Sequence, residues 1–137
     1  MATHITRSAE ETRAIAAQWA ASLSAGTAIQ LRGDLGAGKT TFVQGMAEGL
    51  GCVIVPTSPT FSLLHEYPGE TLTLFHWDLY RLGESTDWNQ LDLADQLPGN
   101  GITVVEWPER YPGPWPDQVI PIHLLINGQD NREIQIG

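Results

Sequence analysis

The stretch Gly33-Asp34-Leu35-Gly36-Ala37-Gly38-Lys39-Thr40 fits the phosphate-loop pattern G-x-x-x-x-G-K-[ST] at every fixed position. Few short patterns constrain a fold so tightly. Backbone N–H groups can wrap a triphosphate only where bulky side chains are absent, and Gly33, Gly36 and Gly38 provide that freedom. Lys39 brings a fixed positive charge to the β- and γ-phosphates, and the Thr40 hydroxyl is of the type that ligates Mg²⁺. The apolar run Ala28-Ile29-Gln30-Leu31 precedes the loop, and a helix-like stretch follows it. A strand, a tight loop and a helix whose positive N-terminal end faces the phosphates are therefore expected here. Asp34, Leu35, Gly36, Ala37, Gly38, Lys39, Thr40 and Thr41 are the candidate nucleotide contacts.

A chain of 137 residues can bury one proper core and not two, so a single domain over residues 1–137 is expected. No apolar run reaches the 18 or more residues of a membrane span, and Met1 to Arg7 lacks an apolar signal core. A cytoplasmic protein without membrane association is the expectation. Cys52 is the only cysteine, which excludes an intrachain disulfide and disfavours a cysteine-based metal site. The net charge is −9, and Lys39 is the only lysine. Gripping nucleic acid through its phosphates needs a basic face, so strong direct binding of nucleic acid is not expected. A partner with a basic surface would be favoured instead.

Along the chain, Ser8 and Glu11 form a capping box opening a helix to about Leu23, with Ile15, Trp19 and Leu23 as its buried stripe. Thr27–Leu31 reads as the first buried strand, and Thr41–Leu50 as a helix stopped by Gly51. In Pro56-Thr57-Ser58-Pro59-Thr60-Phe61 two prolines hold hydroxyl residues in an extended loop, which reads either as a plain turn or as a switch meeting the γ-phosphate or metal. Phe61–Tyr67 and Thr71–Trp77 form an expected hairpin, a short helix is expected over 85–97, and Val119–Ile126 with Glu133–Ile136 closes the chain as another hairpin. Two apolar strands end in carboxylates, at Asp78 and at Glu106. In a parallel α/β sheet those ends face the ligand crevice, so both acids are candidates for Mg²⁺–nucleotide chemistry. His4, His65, His76 and His123 have no metal-ligand spacing, although His76 stands two residues before Asp78. The expected architecture is an α/β phosphate-loop NTPase domain, a mixed and mostly parallel sheet flanked by helices with antiparallel hairpin additions.

Four segments then occur together: the loop at 33–41, Ser-Pro-Thr-Phe at 58–61, His-Trp-Asp-Leu-Tyr-Arg-Leu at 76–82 and Val-Glu-Trp-Pro-Glu-Arg at 105–110. In this order and spacing they resemble the TsaE family, bacterial ATPases of tRNA threonylcarbamoyladenosine biosynthesis. The resemblance implies slow hydrolysis of ATP with Mg²⁺ and association with the TsaB–TsaD transferase pair. It places the phosphate-loop lysine on Lys39 and the metal threonine on Thr40. The metal-linked glutamate falls on Glu106, and Asp78 orients the metal's water or the attacking water. The switch threonine falls on Thr60, and a late basic residue near the nucleotide on Arg132. One departure lies at Leu91-Asp92, where the family usually carries Leu-Gly.

Two other functions share the loop. A small-molecule kinase would need a substrate pocket and commonly an arginine-bearing lid, but the six arginines are scattered. A non-catalytic nucleotide-gated interaction module would lose little on removal of Asp78 or Glu106. A GTPase is disfavoured because no Asn/Thr-Lys-x-Asp segment is present.

Overall fold

The structure is a computed structural model, and it describes residues 2–53, 63–82, 88, 93, 97 and 100–137. Seven strands and two helices occur among these residues. In chain order they are β1 (Ala2–Thr6), α1 (Ala9–Ala20), β2 (Ala28–Gly33), α2 (Lys39–Gly49), β3 (Leu64–Tyr67), β4 (Leu74–Asp78), β5 (Ile102–Glu106), β6 (Ile120–Ile126) and β7 (Arg132–Ile136), with a 3₁₀ turn at Pro108–Arg110 after β5.

The strands form one sheet in the order β1-β7-β6-β2-β5-β4-β3. β2 runs through its centre, parallel to β5 on one side and β6 on the other, and β4 continues the parallel set beyond β5. Antiparallel pairs finish both edges: β3 on β4, and β7 and then β1 beyond β6. The mixed sheet with hairpin additions agrees with the sequence expectation. β1 was not anticipated, and it adds a third antiparallel pairing to the three parallel ones. Burial explains why β5 was easy to read. All five residues of β5 are buried, and Ile102 to Val105 accordingly run without polar alternation up to the terminal Glu106.

Helix α1 opens as the capping box requires, with Ser8 Oγ accepting from the Glu11 N–H at 3.1 Å. The Glu11 carboxylate reaches one residue further back than expected and accepts from the Arg7 N–H at 3.0 Å. The helix ends at Ala20, short of Leu23, because the next turn tightens. Ser22 N–H and Leu23 N–H bond the carbonyls three residues back, and Ser22 Oγ also takes the Trp19 carbonyl at 2.7 Å.

The expected stripe on this helix also needs correction. Ile15, Trp19 and Leu23 are only half-buried, whereas Thr12 and the small residues Ala16 and Ala20 are fully buried. The reason is the closeness of α2. A Cβ added at Gly45 would lie 2.3 Å from the Arg13 carbonyl oxygen, and one at Gly49 would lie 2.1 Å from that of Ala17. Each glycine costs about 1 kcal/mol of helix propensity relative to alanine, offset here by direct backbone-to-backbone packing. Past Gly49, Leu50 caps the helix and Gly51 takes φ +76°. Gly51 N–H bonds Glu48 O and Cys52 N–H bonds Ala47 O, a complete Schellman stop.

Both helices cover one face of the sheet, where Phe42, Val43 and Met46 meet Ile29, Leu31, Leu74, Ile102 and Val104. On the opposite face Trp77, Leu79, Val105 and Tyr111 form a second core with Leu93, joined at its margin by Trp88 and Leu97. The helix expected over 85–97 otherwise lies outside the described residues, as do Leu91-Asp92 and the loop carrying Ser58, Pro59, Thr60 and Phe61. The expected strand at 61–67 is described from Leu64 onward, and its partner strand reaches Asp78.

Candidate nucleotide site

Strand β2 delivers the chain to the loop at Gly33, where a side chain would be tightly crowded. An added Cβ would stand 3.0 Å from the Leu124 carbonyl oxygen on β6 and 3.2 Å from Ala37 Cβ. Gly36 and Gly38 are required for a different reason. Their φ angles are +85° and +102°, and an added Cβ at either would meet nothing within 4 Å. Conformation, not crowding, excludes other residues there, and the loop remains open on that side. Gly38 is the N-cap of α2 with no side-chain cap, so the first-turn N–H groups face outward with the helix dipole behind them. Asp34 and Leu35 are exposed at the loop's tip, and Ala37 is buried beneath it.

Lys39 is the first residue of α2 and is only 7% exposed. Among the described residues its Nζ has no hydrogen-bond partner. It lies instead 3.8 Å from the centroid of the Trp107 ring, a cation–π seat. Burial lowers the pKa of this amine, opposed by the nearby carboxylates, Glu106 most and then Asp78, Glu109 and Asp34. A buried ammonium without a hydrogen-bond acceptor is costly, and a phosphate oxygen would supply the missing acceptor.

The wall opposite the loop is built by the turn after β5. Trp107 has φ 57° and ψ 49°, a left-handed conformation that is rare for so bulky a residue. Its ring packs at 4.9 Å from Tyr80, and Arg110 lies across Tyr80 while donating to the Leu82 carbonyl at 2.8 Å.

The two acid-tipped strands meet as neighbours. Asp78 and Glu106 are Cα partners in the parallel β4–β5 ladder, and Leu31 of β2 pairs with Glu106 on its other side. Glu106 is buried, and its Oε2 receives the His76 Nε2–H at 2.5 Å. Asp78 is half-buried and its Oδ1 accepts the Tyr80 N–H at 3.0 Å. Burial raises the Asp78 pKa, and the Glu106 carboxylate adds to that rise. The Tyr80 N–H, His76 and Lys39 oppose it.

A measurable consequence follows for stability. A raised folded-state pKa means that the folded chain holds this proton more tightly than the unfolded chain. The ionised Asp78 therefore costs nothing below the ordinary value of 3.8, and its full cost is present above the raised value. Asp78→Asn keeps an oxygen for the Tyr80 N–H and removes that cost. Without nucleotide, the variant is expected to melt above the wild type at neutral pH, with the gap closing as pH falls toward 4. Equal melting temperatures at neutral pH would contradict the burial argument.

Arg132, the first residue of β7, donates to the Asn131 carbonyl at 2.8 Å and to the Gly36 carbonyl at 3.0 Å. It thus ties the last hairpin to the phosphate loop. Together with Thr12, Gly36, Gly38, Thr41 and Asp130 it lines a cleft of about 170 Å³ beside the loop. Thr40 follows Lys39 in the first turn of α2 and is half-buried.

The structure therefore brings together Lys39, Asp78 and Glu106, sets Thr40 and Thr41 on the same helix terminus, and places Arg132 against the loop. Thr60 lies outside the described residues. Sequence reasoning assigned no role to Trp107 or His76. The signal for His76 was its position two residues before Asp78, which puts both on one face of β4. No comparable signal marked the ring of Trp107, because it depends on a left-handed turn.

Among the described residues no group of three or more His, Cys, Asp or Glu side chains is placed to hold a metal. One or two carboxylates with a threonine hydroxyl is nonetheless the hard-oxygen set that Mg²⁺ takes when phosphates and water complete its shell. The orphaned Lys39 amine and the open loop fit a polyphosphate in the same way.

A central parallel strand running through a glycine-rich loop into a helix, with a lysine at that helix's start, defines a phosphate-loop NTPase fold. A family model described as threonylcarbamoyl adenosine biosynthesis protein TsaE matches residues 6–134. A Bacillus subtilis protein named tRNA threonylcarbamoyladenosine biosynthesis protein TsaE is 42% identical over 125 residues, covering 91% of this chain and 78% of the relative. A Treponema pallidum protein of the same name is 39% identical over 133 residues, covering 97% and 98%. The crystal structure of Bacillus subtilis YdiB matches with a TM-score of 0.81 at 38% identity, over 98% of this chain and 83% of that one. The chain belongs to the TsaE family. Among its described residues no helix is long and apolar enough to cross a membrane.

Proposed function

We propose that this chain is a Mg²⁺-dependent ATPase that supports tRNA threonylcarbamoyladenosine formation alongside a TsaB–TsaD type transferase pair. The observation that carries the reading is the buried Lys39 amine, unpartnered by any described hydrogen-bond acceptor, beside adjacent strand ends bearing Asp78 and Glu106. The amides of residues 34–41 and the Lys39 ammonium hold the β- and γ-phosphates. Thr40 and Glu106 are the metal's protein ligands. Asp78 sits one strand over and orients water for in-line attack. Thr60 serves as the switch residue, and Arg132 fixes the loop and borders the nucleotide. Mg²⁺ held by Thr40 and Glu106 would supply positive charge to offset the charge developing on the phosphate. The family names borne by the relatives support the tRNA pathway. The net charge of −9 supports action through partner proteins rather than by gripping tRNA.

The test is a reconstituted modification assay run with and without this protein, under single and multiple turnovers. ATP hydrolysis by the purified chain, faster with the transferase pair, and a need for the chain over many turnovers are expected. Undiminished multiple-turnover modification without it would refute the pathway role. Phosphate transfer to a small acceptor instead of water would identify a kinase.

A further inference from the structure

We propose that His76 is a positioning residue that fixes the Glu106 carboxylate for a divalent cation. The proposal rests on the reading of Glu106 as a metal ligand. In the β4–β5 register His76 pairs with Val104 and Asp78 with Glu106, so His76 stands diagonally across from Glu106 on the helix-covered face. Its Nε2 lies 2.5 Å from Glu106 Oε2, and the two side chains are 1% and 5% exposed. A carboxylate has no proton to give, so the imidazole is the donor and its Nε2–H is committed to this contact.

Packing does not account for the pair. The same face of β4 and β5 is otherwise filled by Leu74, Ile102 and Val104. Well-packed apolar side chains in place of a buried His–carboxylate pair would be as stable or more so. Nor is the histidine satisfied where it sits, since its Nδ1 is buried with no partner among the described residues. An unpaired buried polar atom is destabilising, a penalty a purely structural histidine would shed. What the arrangement does provide is orientation. One lone pair of Oε2 is held by a ring mounted mid-strand, so the carboxylate cannot rotate freely, and one-oxygen coordination is favoured. Hydrogen bonds to a ligating group are worth about 10–100-fold in metal affinity.

The experiment measures Mn²⁺, as a paramagnetic stand-in for Mg²⁺, binding to the ADP complex by electron paramagnetic resonance. It compares wild type, Glu106→Gln, His76→Asn and His76→Gln. The glutamine amide can reach the place of Nε2, whereas the asparagine amide stops near that of Nδ1. His76→Asn is expected to weaken Mn²⁺ binding about 10–100-fold while leaving metal-free ADP affinity within about threefold. His76→Gln is expected to stay near wild type. Equal Mn²⁺ affinity in the wild type and the Asn variant, or equal loss in the Asn and Gln variants, would overturn the proposal. If the Asn variant does not fold, the Gln variant decides: near-wild-type binding supports the proposal and a tenfold loss overturns it. A Glu106→Gln protein that binds Mn²⁺ like wild type would instead remove the underlying assignment of Glu106, a separate and recognisable failure.

Discussion

Lys39→Met is expected to abolish measurable ATP hydrolysis, a loss of at least about 10²–10³-fold, while the protein stays folded. Removing a single preorganised donor from developing transition-state charge commonly costs that much. Here Lys39 is the only lysine in the chain, so no neighbouring lysine can substitute. Methionine is close to lysine in length and shape and keeps the packing against Trp107, while the amine it removes has no described hydrogen bond to lose. The measurements are steady-state phosphate release and a thermal melt without nucleotide. Retained hydrolysis would contradict the phosphate role, and a collapsed melt would reassign Lys39 to the fold.

Glu106→Gln is expected to lower metal-dependent turnover about 10²–10³-fold and to leave metal-free nucleotide binding nearly unchanged. The substitution is close to isosteric on a fully buried strand, so the effect is electrostatic. It also relieves Asp78, whose pKa Glu106 pushes upward, so that group is expected to titrate lower in the variant. Titrating ADP with and without Mg²⁺ separates the two effects. A uniform loss of ADP affinity, independent of metal, would show that Glu106 supports the loop and not the cation. The non-catalytic alternative makes the opposite forecast, with turnover absent from the start.

The parts of this molecule that could be read from the sequence are those whose physics is local. The loop was legible because its backbone demands three particular glycines, and β5 because its apolar and small residues run unbroken up to the terminal Glu106. The two acids were legible because parallel strands present their carboxyl ends together. Helix α1 was found but its face was misplaced. Large residues suggested a stripe of Ile15, Trp19 and Leu23, whereas close contact with α2 buries Thr12, Ala16 and Ala20. Strand β1 went unread because its polarity is inverted: Ile5 is 52% exposed while Thr6 is buried, its hydroxyl 2.6 Å from that of Thr12. The His76–Glu106 pair could not be seen at all. It depends on the register between two strands whose partners are 30 residues apart in sequence.

The tie between Arg132 and Gly36 spans 96 positions, and it bears on the order in which the chain assembles. Among the described residues β1 pairs with β7 alone, so it cannot join the sheet until residues 132–136 are in place. The loop's carbonyl likewise waits for a guanidinium from the final strand. The loop is therefore completed only when the β6–β7 hairpin has docked, and long-range closures of this kind are slow. A chain cut before β7 would leave β1 unpaired and the Gly36 carbonyl without the Arg132 guanidinium.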